Sequence, residues 1–216
     1  MHIEYACYDY SLSDEEIKNI ITKVIKYNID TISTFHNNLY LIKNLIEKKI
    51  NISCPIDYPY GQSDIKSRNF CLSQAIKAGA STIDMVAPSK YIANRKYDKL
   101  REDIKNNLEI CQTNSVDLRY LLEYRVFNHE TLAKTCQILK SFGINTVIPS
   151  TGHLIDDIND NIIASKYLSS KSDISVICSG NIWTEKQIEN FKNSGVYGIR
   201  LYYLASLELF EKNKTI

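Results

Sequence analysis

Eight times along this chain, a short run of β-branched and apolar residues gives way within a few positions to a stretch of helical periodicity. A strand repeats every two residues and a helix every 3.6, so the alternation can be read directly from the residue order. Strands are expected at Met1–Tyr8, Thr31–Phe35, Ile52–Ile56, Thr82–Val86, Val116–Glu123, Thr146–Ile148, Ile174–Cys178 and Val196–Leu201. Between them, Ser13-Asp14-Glu15-Glu16 reads as a capping box ahead of Ile17, Ile20, Ile21 and Val24, which share one helical face. A helix opened by Ser63-Asp64 runs to Ala78 and stops at Gly79. Others are expected over Leu39–Lys48, Arg95–Cys111, His129–Ser141, Ile155–Leu168, Thr184–Asn193 and Leu204–Glu211. Strands joined through helices by short connections run parallel, and eight such units close into a (β/α)8 TIM barrel. Residues 1–216 are expected to form one α/β domain of this kind.

Barrels of this type carry their chemistry at the C-terminal ends of the strands. Asp9, His36, Asp57, Asp84, Lys90, Arg119, Glu123, His153, Cys178, Asn181 and Arg200 fall at or near such ends. The sixth strand runs into Ser150-Thr151-Gly152-His153, where two hydroxyls and open backbone N–H groups suit an anion. Ser179-Gly180-Asn181 repeats the form after the seventh. Asp84 lies within an apolar strand, so it needs either a functional role or an ion-pair partner, for which Arg119 is the candidate. His36 and His153 are open to acid–base work or to plain surface positions.

Charge bounds the partners. The 26 Lys+Arg residues nearly cancel 25 Asp+Glu, and no basic stripe emerges, so nucleic acid is not an expected partner. No apolar run approaches the ~18–20 residues of a membrane span, and the expected compartment is the cytoplasm. The six cysteines form no C-x-x-C pair and read as small buried hydrophobes; Cys178 alone stands where a reactive thiol could matter. No metal site is expected, since neither H-x-x-H nor a spaced carboxylate cluster occurs, and no cofactor is implied.

Ala78-Gly79-Ala80-Ser81-Thr82-Ile83-Asp84-Met85-Val86, Asp57-Tyr58-Pro59-Tyr60-Gly61, Asp9-Tyr10-Ser11-Leu12, Ser150-Thr151-Gly152 and Ser179-Gly180 together resemble the deoxyribose-phosphate aldolase family, class I aldolases on a TIM barrel. The likeness spans nearly the whole chain, and Ile83-Asp84-Met85-Val86 is its most specific part. The resemblance implies a lysine that attacks the substrate carbonyl and a second that lowers its pKa. Those two positions are occupied here by Ile148 and Ile177. The family's second glycine after strand seven is Asn181, and Arg200 stands where a glycine admits phosphate. Asp84 is retained, and Arg119 takes the place of a strand-borne lysine.

Three functions follow. In the first, a lyase or isomerase handles a small phosphorylated or carboxylated carbonyl compound by acid–base chemistry. There Asp84 and Arg119 are catalytic, and Ser150, Thr151, Gly152, His153, Ser179, Gly180, Asn181 and Arg200 hold the ligand. In the second, a non-catalytic barrel binds a metabolite or a protein. In the third, the nucleophilic lysine has moved, with Lys90 the position to test. The expected partner is a small molecule, sugar phosphate or keto acid, with no nucleic acid and no membrane, and a homodimer is left open.

Overall fold

A computed structural model of the chain describes residues 1–46, 50–154 and 157–213. Eight parallel strands close on themselves in sequence order: β1 (His2–Cys7), β2 (Thr31–Thr34), β3 (Asn51–Ile56), β4 (Thr82–Val86), β5 (Asp117–Leu121), β6 (Thr146–Ile148), β7 (Ser175–Ser179) and β8 (Gly198–Leu201). The last pairing, His2 against Gly198 through Tyr5 against Leu201, seals the cylinder. Around it lie α1 (Asp14–Lys26), α2 (Leu39–Leu45), α3 (Ile65–Ala78), α4 (Ser89–Ala93), α5 (Tyr97–Thr113), α6 (His129–Ser141), α7 (Ile158–Ser172), α8 (Glu185–Ser194) and α9 (Leu204–Lys212). The α/β barrel expected from the alternation is the fold observed.

Period-two geometry sends neighbouring residues of each strand to opposite faces. Ile3, Tyr5, Ile32, Ile83, Met85, Tyr120, Val147, Val176 and Ile199 belong to one core cluster that also takes in Ile17, Ile20, Ile21, Leu72, Leu132 and Phe210 from the helices. Most apolar burial lies in this layer between strands and helices. A separate cluster, Val86, Leu121, Ile148 and Ile177 with Tyr58 packed on it, comes from β4 to β7. Cys178 is fully buried in the first cluster, against the helices, so it is not the reactive mouth thiol its position suggested.

Local chemistry explains most boundaries. Ser13 and Glu16 form the capping box of α1, and Thr184 and Gln187 form one on α8. Asp64 caps α3 through the N–H groups of Lys66 and Ser67, and Gly79 ends it in the left-handed conformation at φ 113°. The helix expected over Arg95–Cys111 is α5, and the short α4 ahead of it was not expected. Arg95 sits at φ 52° between α4 and α5, which breaks the helical path. Helix α2 stops at Leu45, short of expectation, and Lys48 lies outside the described residues, as does Ile155, the expected start of α7. Among the described residues no helix is long and apolar enough to cross a membrane.

Candidate functional site

Inside the barrel, β1, β4, β5 and β8 each project a charged side chain. Glu4 accepts from Arg119 Nη1 at 2.5 Å and from Arg200 Nη2 at 2.5 Å. Asp84 faces the same two guanidiniums: Arg119 Nε donates to Oδ1 at 2.9 Å, and Arg200 Nη2 to Oδ2 at 2.7 Å. The Ser33 hydroxyl adds a bond to Oδ2 at 3.3 Å, and His2 Nε2 lies 2.7 Å from Glu4. Glu4, Asp84 and Arg200 are all 0% exposed. Burial raises both carboxyls, but Arg119 and Arg200 outweigh it and hold Asp84 below, and Glu4 well below, the ordinary value. Two negative and two positive charges thus balance in a closed set, as a buried ion cluster requires.

This arrangement bears on two expectations. Asp84, with both oxygens engaged, is an ion-pair partner of Arg119 and Arg200, with no lone carboxylate edge turned to the mouth. Arg200, expected at the anion cradle, turns its guanidinium into the barrel interior instead. Its register opposite Glu4 explains why, since the carboxylate draws it inward.

The cradle is also occupied by its own chain. Glu123 leaves the strand line after Leu121, and its Oε2 accepts both the N–H of Thr151 at 3.2 Å and its hydroxyl at 2.7 Å. The Gly152 N–H donates to Ser150 Oγ at 3.1 Å, and that of His153 to Thr151 Oγ1 at 3.2 Å. After β7, the Gly180 N–H donates to the Arg200 carbonyl at 3.0 Å, and Asn181 Oδ1 accepts from the Tyr202 N–H at 3.1 Å. Ser179 is buried, its N–H given to Asn161 and its hydroxyl to the Ser150 carbonyl. Thr151 and Gly180 therefore offer no idle donors, contrary to the expectation of open N–H groups.

Aromatic rings complete the roof. Tyr8 lies 5.2 Å from Tyr58 and 5.9 Å from Tyr202, and Phe35 packs on Tyr8 and Tyr58 at 4.9 and 5.3 Å. Tyr58 donates its hydroxyl to the Thr151 carbonyl at 3.1 Å. Gly152 adopts φ 76°, and a Cβ there would fall 2.5 Å from the Tyr202 ring, so the ring rests on the glycine where a ligand would be sought. The turn carrying Tyr58 and Tyr60 is held by Asp57, which pairs with buried Arg68 at 2.6 Å, so Asp57 serves the framework.

Two recesses open at the mouth, with the His153–Leu154 segment between them. The one toward β1, β7 and β8, about 430 Å³, holds Gly152, Gly180 and Asn181 with five tyrosines and Asp9. Apart from His153, no basic side chain among the described residues lines it, and a phosphate would find no cation among them there. The other, toward β3 to β6, is about 420 Å³ and is floored by Val86 and Leu121. Lys90, Glu123 and His153 stand at its edge, and His153 Nε2 is 3.0 Å from the Tyr60 hydroxyl. His36 begins an exposed 3-10 turn away from both.

Sequence reasoning overlooked Glu4 and the position of Glu123. Glu4 could have been found by counting alternate residues of β1, which place it on the inner face beside Arg200. No local signal foretold that Glu123 would reach across to Thr151. Among the described residues no group of three or more His, Cys, Asp or Glu could hold a metal.

No family model matches the chain. It is 24% identical over 190 residues to the deoxyribose-phosphate aldolase of Clostridium novyi, covering 87% of this chain and 85% of that one. With the enzyme of Mannheimia succiniciproducens the identity is 29% over 140 residues, 65% of this chain and 62% of that one. A solved aldolase superposes with a TM-score of 0.87 at 22% identity, over 99% of this chain and 96% of that one. The tetrameric deoxyribose-phosphate aldolase of Aeropyrum pernix gives 0.84 at 17%, over 99% and 90%. The structural matches establish the fold, and in sequence the chain is similar to deoxyribose-phosphate aldolases over most of its length, though divergent from them.

Proposed function

We propose that this chain is a ligand-binding barrel of aldolase descent that carries out neither imine-forming aldol cleavage nor proton transfer from Asp84. One observation carries the reading. Where the aldolase resemblance calls for paired amines, Ile148 and Ile177 join Val86 and Leu121 in a buried aliphatic cluster, all but Val86 fully shielded from solvent. An imine needs a neutral amine at the carbonyl, and hydrocarbon offers none. Asp84 is no substitute: a carboxylate held between two guanidiniums stays ionised, and both of its oxygens already accept bonds. The ring roof and the internally bonded cradle support the same conclusion, because a sugar phosphate would find its expected donors already engaged.

An assay that couples acetaldehyde release to hydride consumption tests this directly. Deoxyribose 5-phosphate is expected to be left at its uncatalysed rate. Turnover above that rate contradicts the proposal, and turnover lost in Lys90→Ala would assign it to a relocated lysine.

A further inference from the structure

We infer that the recess between β3 and β6 is the ligand site, and that its ligand is a small amphipathic anion: an aromatic or branched aliphatic body ending in one carboxylate or sulfonate. The inference rests on the binding-barrel reading and names its ligand class. A space of about 420 Å³ suits a body of one or two rings. Its floor is Val86 and Leu121, and Ile92, Leu122 and Phe127 form its walls. A sugar phosphate would exchange its bonds to water for contact with hydrocarbon, whereas an apolar body gains from the same contact. The rim is apolar as well: Val126 is 61% and Leu154 40% exposed, surface that a bound ligand would cover.

Charge at the rim selects the head group. Glu123 already accepts two bonds from Thr151. Lys90 is exposed, and no described carboxylate pairs with its ammonium. The bonds from Thr151 turn Glu123 Oε2 to that residue's backbone and hydroxyl, so Lys90 is the charged side chain on this rim that no described group engages, and the Tyr60 hydroxyl, bonded to His153, stands close by.

Titration with 1-anilinonaphthalene-8-sulfonate tests the assignment in the full chain. We expect a saturable, blue-shifted signal at one site per chain, displaced by 3-phenylpropionate and not by deoxyribose 5-phosphate, with 3-phenylpropylamine a poor competitor. Ala93→Trp and Val126→Trp, both at exposed positions on the recess, fill it and remove the signal while the circular dichroism spectrum stays that of the parent. Lys90→Glu weakens 3-phenylpropionate roughly fivefold, the upper range for an exposed pair, and leaves the amine no weaker. Absence of a saturable site, a signal indifferent to both tryptophans, or equal affinity for the acid and the amine overturns the assignment. Borohydride trapping separates the two levels. A lysine adduct together with phenylpropionate binding sinks the binding-only reading and leaves the ligand class standing, whereas no adduct and no probe binding sinks the ligand class alone.

Discussion

Glu4, Asp84, Arg119 and Arg200 meet inside the barrel in a set from which no member can be removed without stranding a charge. Arg200→Met leaves Glu4 and Asp84 short of a partner, and breaking a buried pair costs about 3–5 kcal/mol. We expect that loss in urea denaturation of the variant. The same set fixes the response to acid. Both carboxyls have folded pKa values depressed below the ordinary 4.5 and 3.8. Their stabilisation is therefore whole above those values and is lost as pH falls through the lower, folded ones. The urea midpoint should hold from pH 7 to about 5 and fall steeply below 4, with a shallower fall in Glu4→Gln; a midpoint flat to pH 3 would contradict the ion cluster. Asp84 and Arg119 were legible in the sequence because a charge inside an apolar strand demands a partner. Arg200 was visible, but not its direction, which depends on Glu4 nearly two hundred positions away.

At the scale of elements, caps and glycines spoke clearly while partners across the barrel did not. Ser13→Ala removes one side of the α1 capping box and should cost about 1 kcal/mol, read as a lowered urea midpoint with unchanged slope. The edges of β6, Thr146–Ile148, could be set from sequence because Pro149 follows. The short α4 could not, since its five residues after Pro88 are too few to show helical periodicity on one face. The loop after β6 kept its small, hydroxyl-bearing character, but its donors turn to Glu123 from β5's own exit loop, a contact that no local pattern encodes. Glu123→Ala should thus speed amide hydrogen exchange at Thr151 while leaving the core strands protected. Exchange at Thr151 equal to that of the parent would place Glu123 elsewhere.

For the whole molecule, the barrel was readable because alternating periods and short connections leave parallel closure as the economical arrangement. The chemistry of its mouth was less so. Whether a glycine faces a ligand or a tyrosine ring, as Gly152 does, depends on packing between loops far apart in the chain. The account stands on the aliphatic cluster of Val86, Leu121, Ile148 and Ile177 lying where the resemblance implies paired amines. Borohydride reduction of the full chain in the presence of deoxyribose 5-phosphate, followed by intact mass and peptide mapping, addresses that point most directly. The account predicts a mass unchanged from the untreated chain; a single stoichiometric adduct on one lysine, Lys90 or any other, would contradict it.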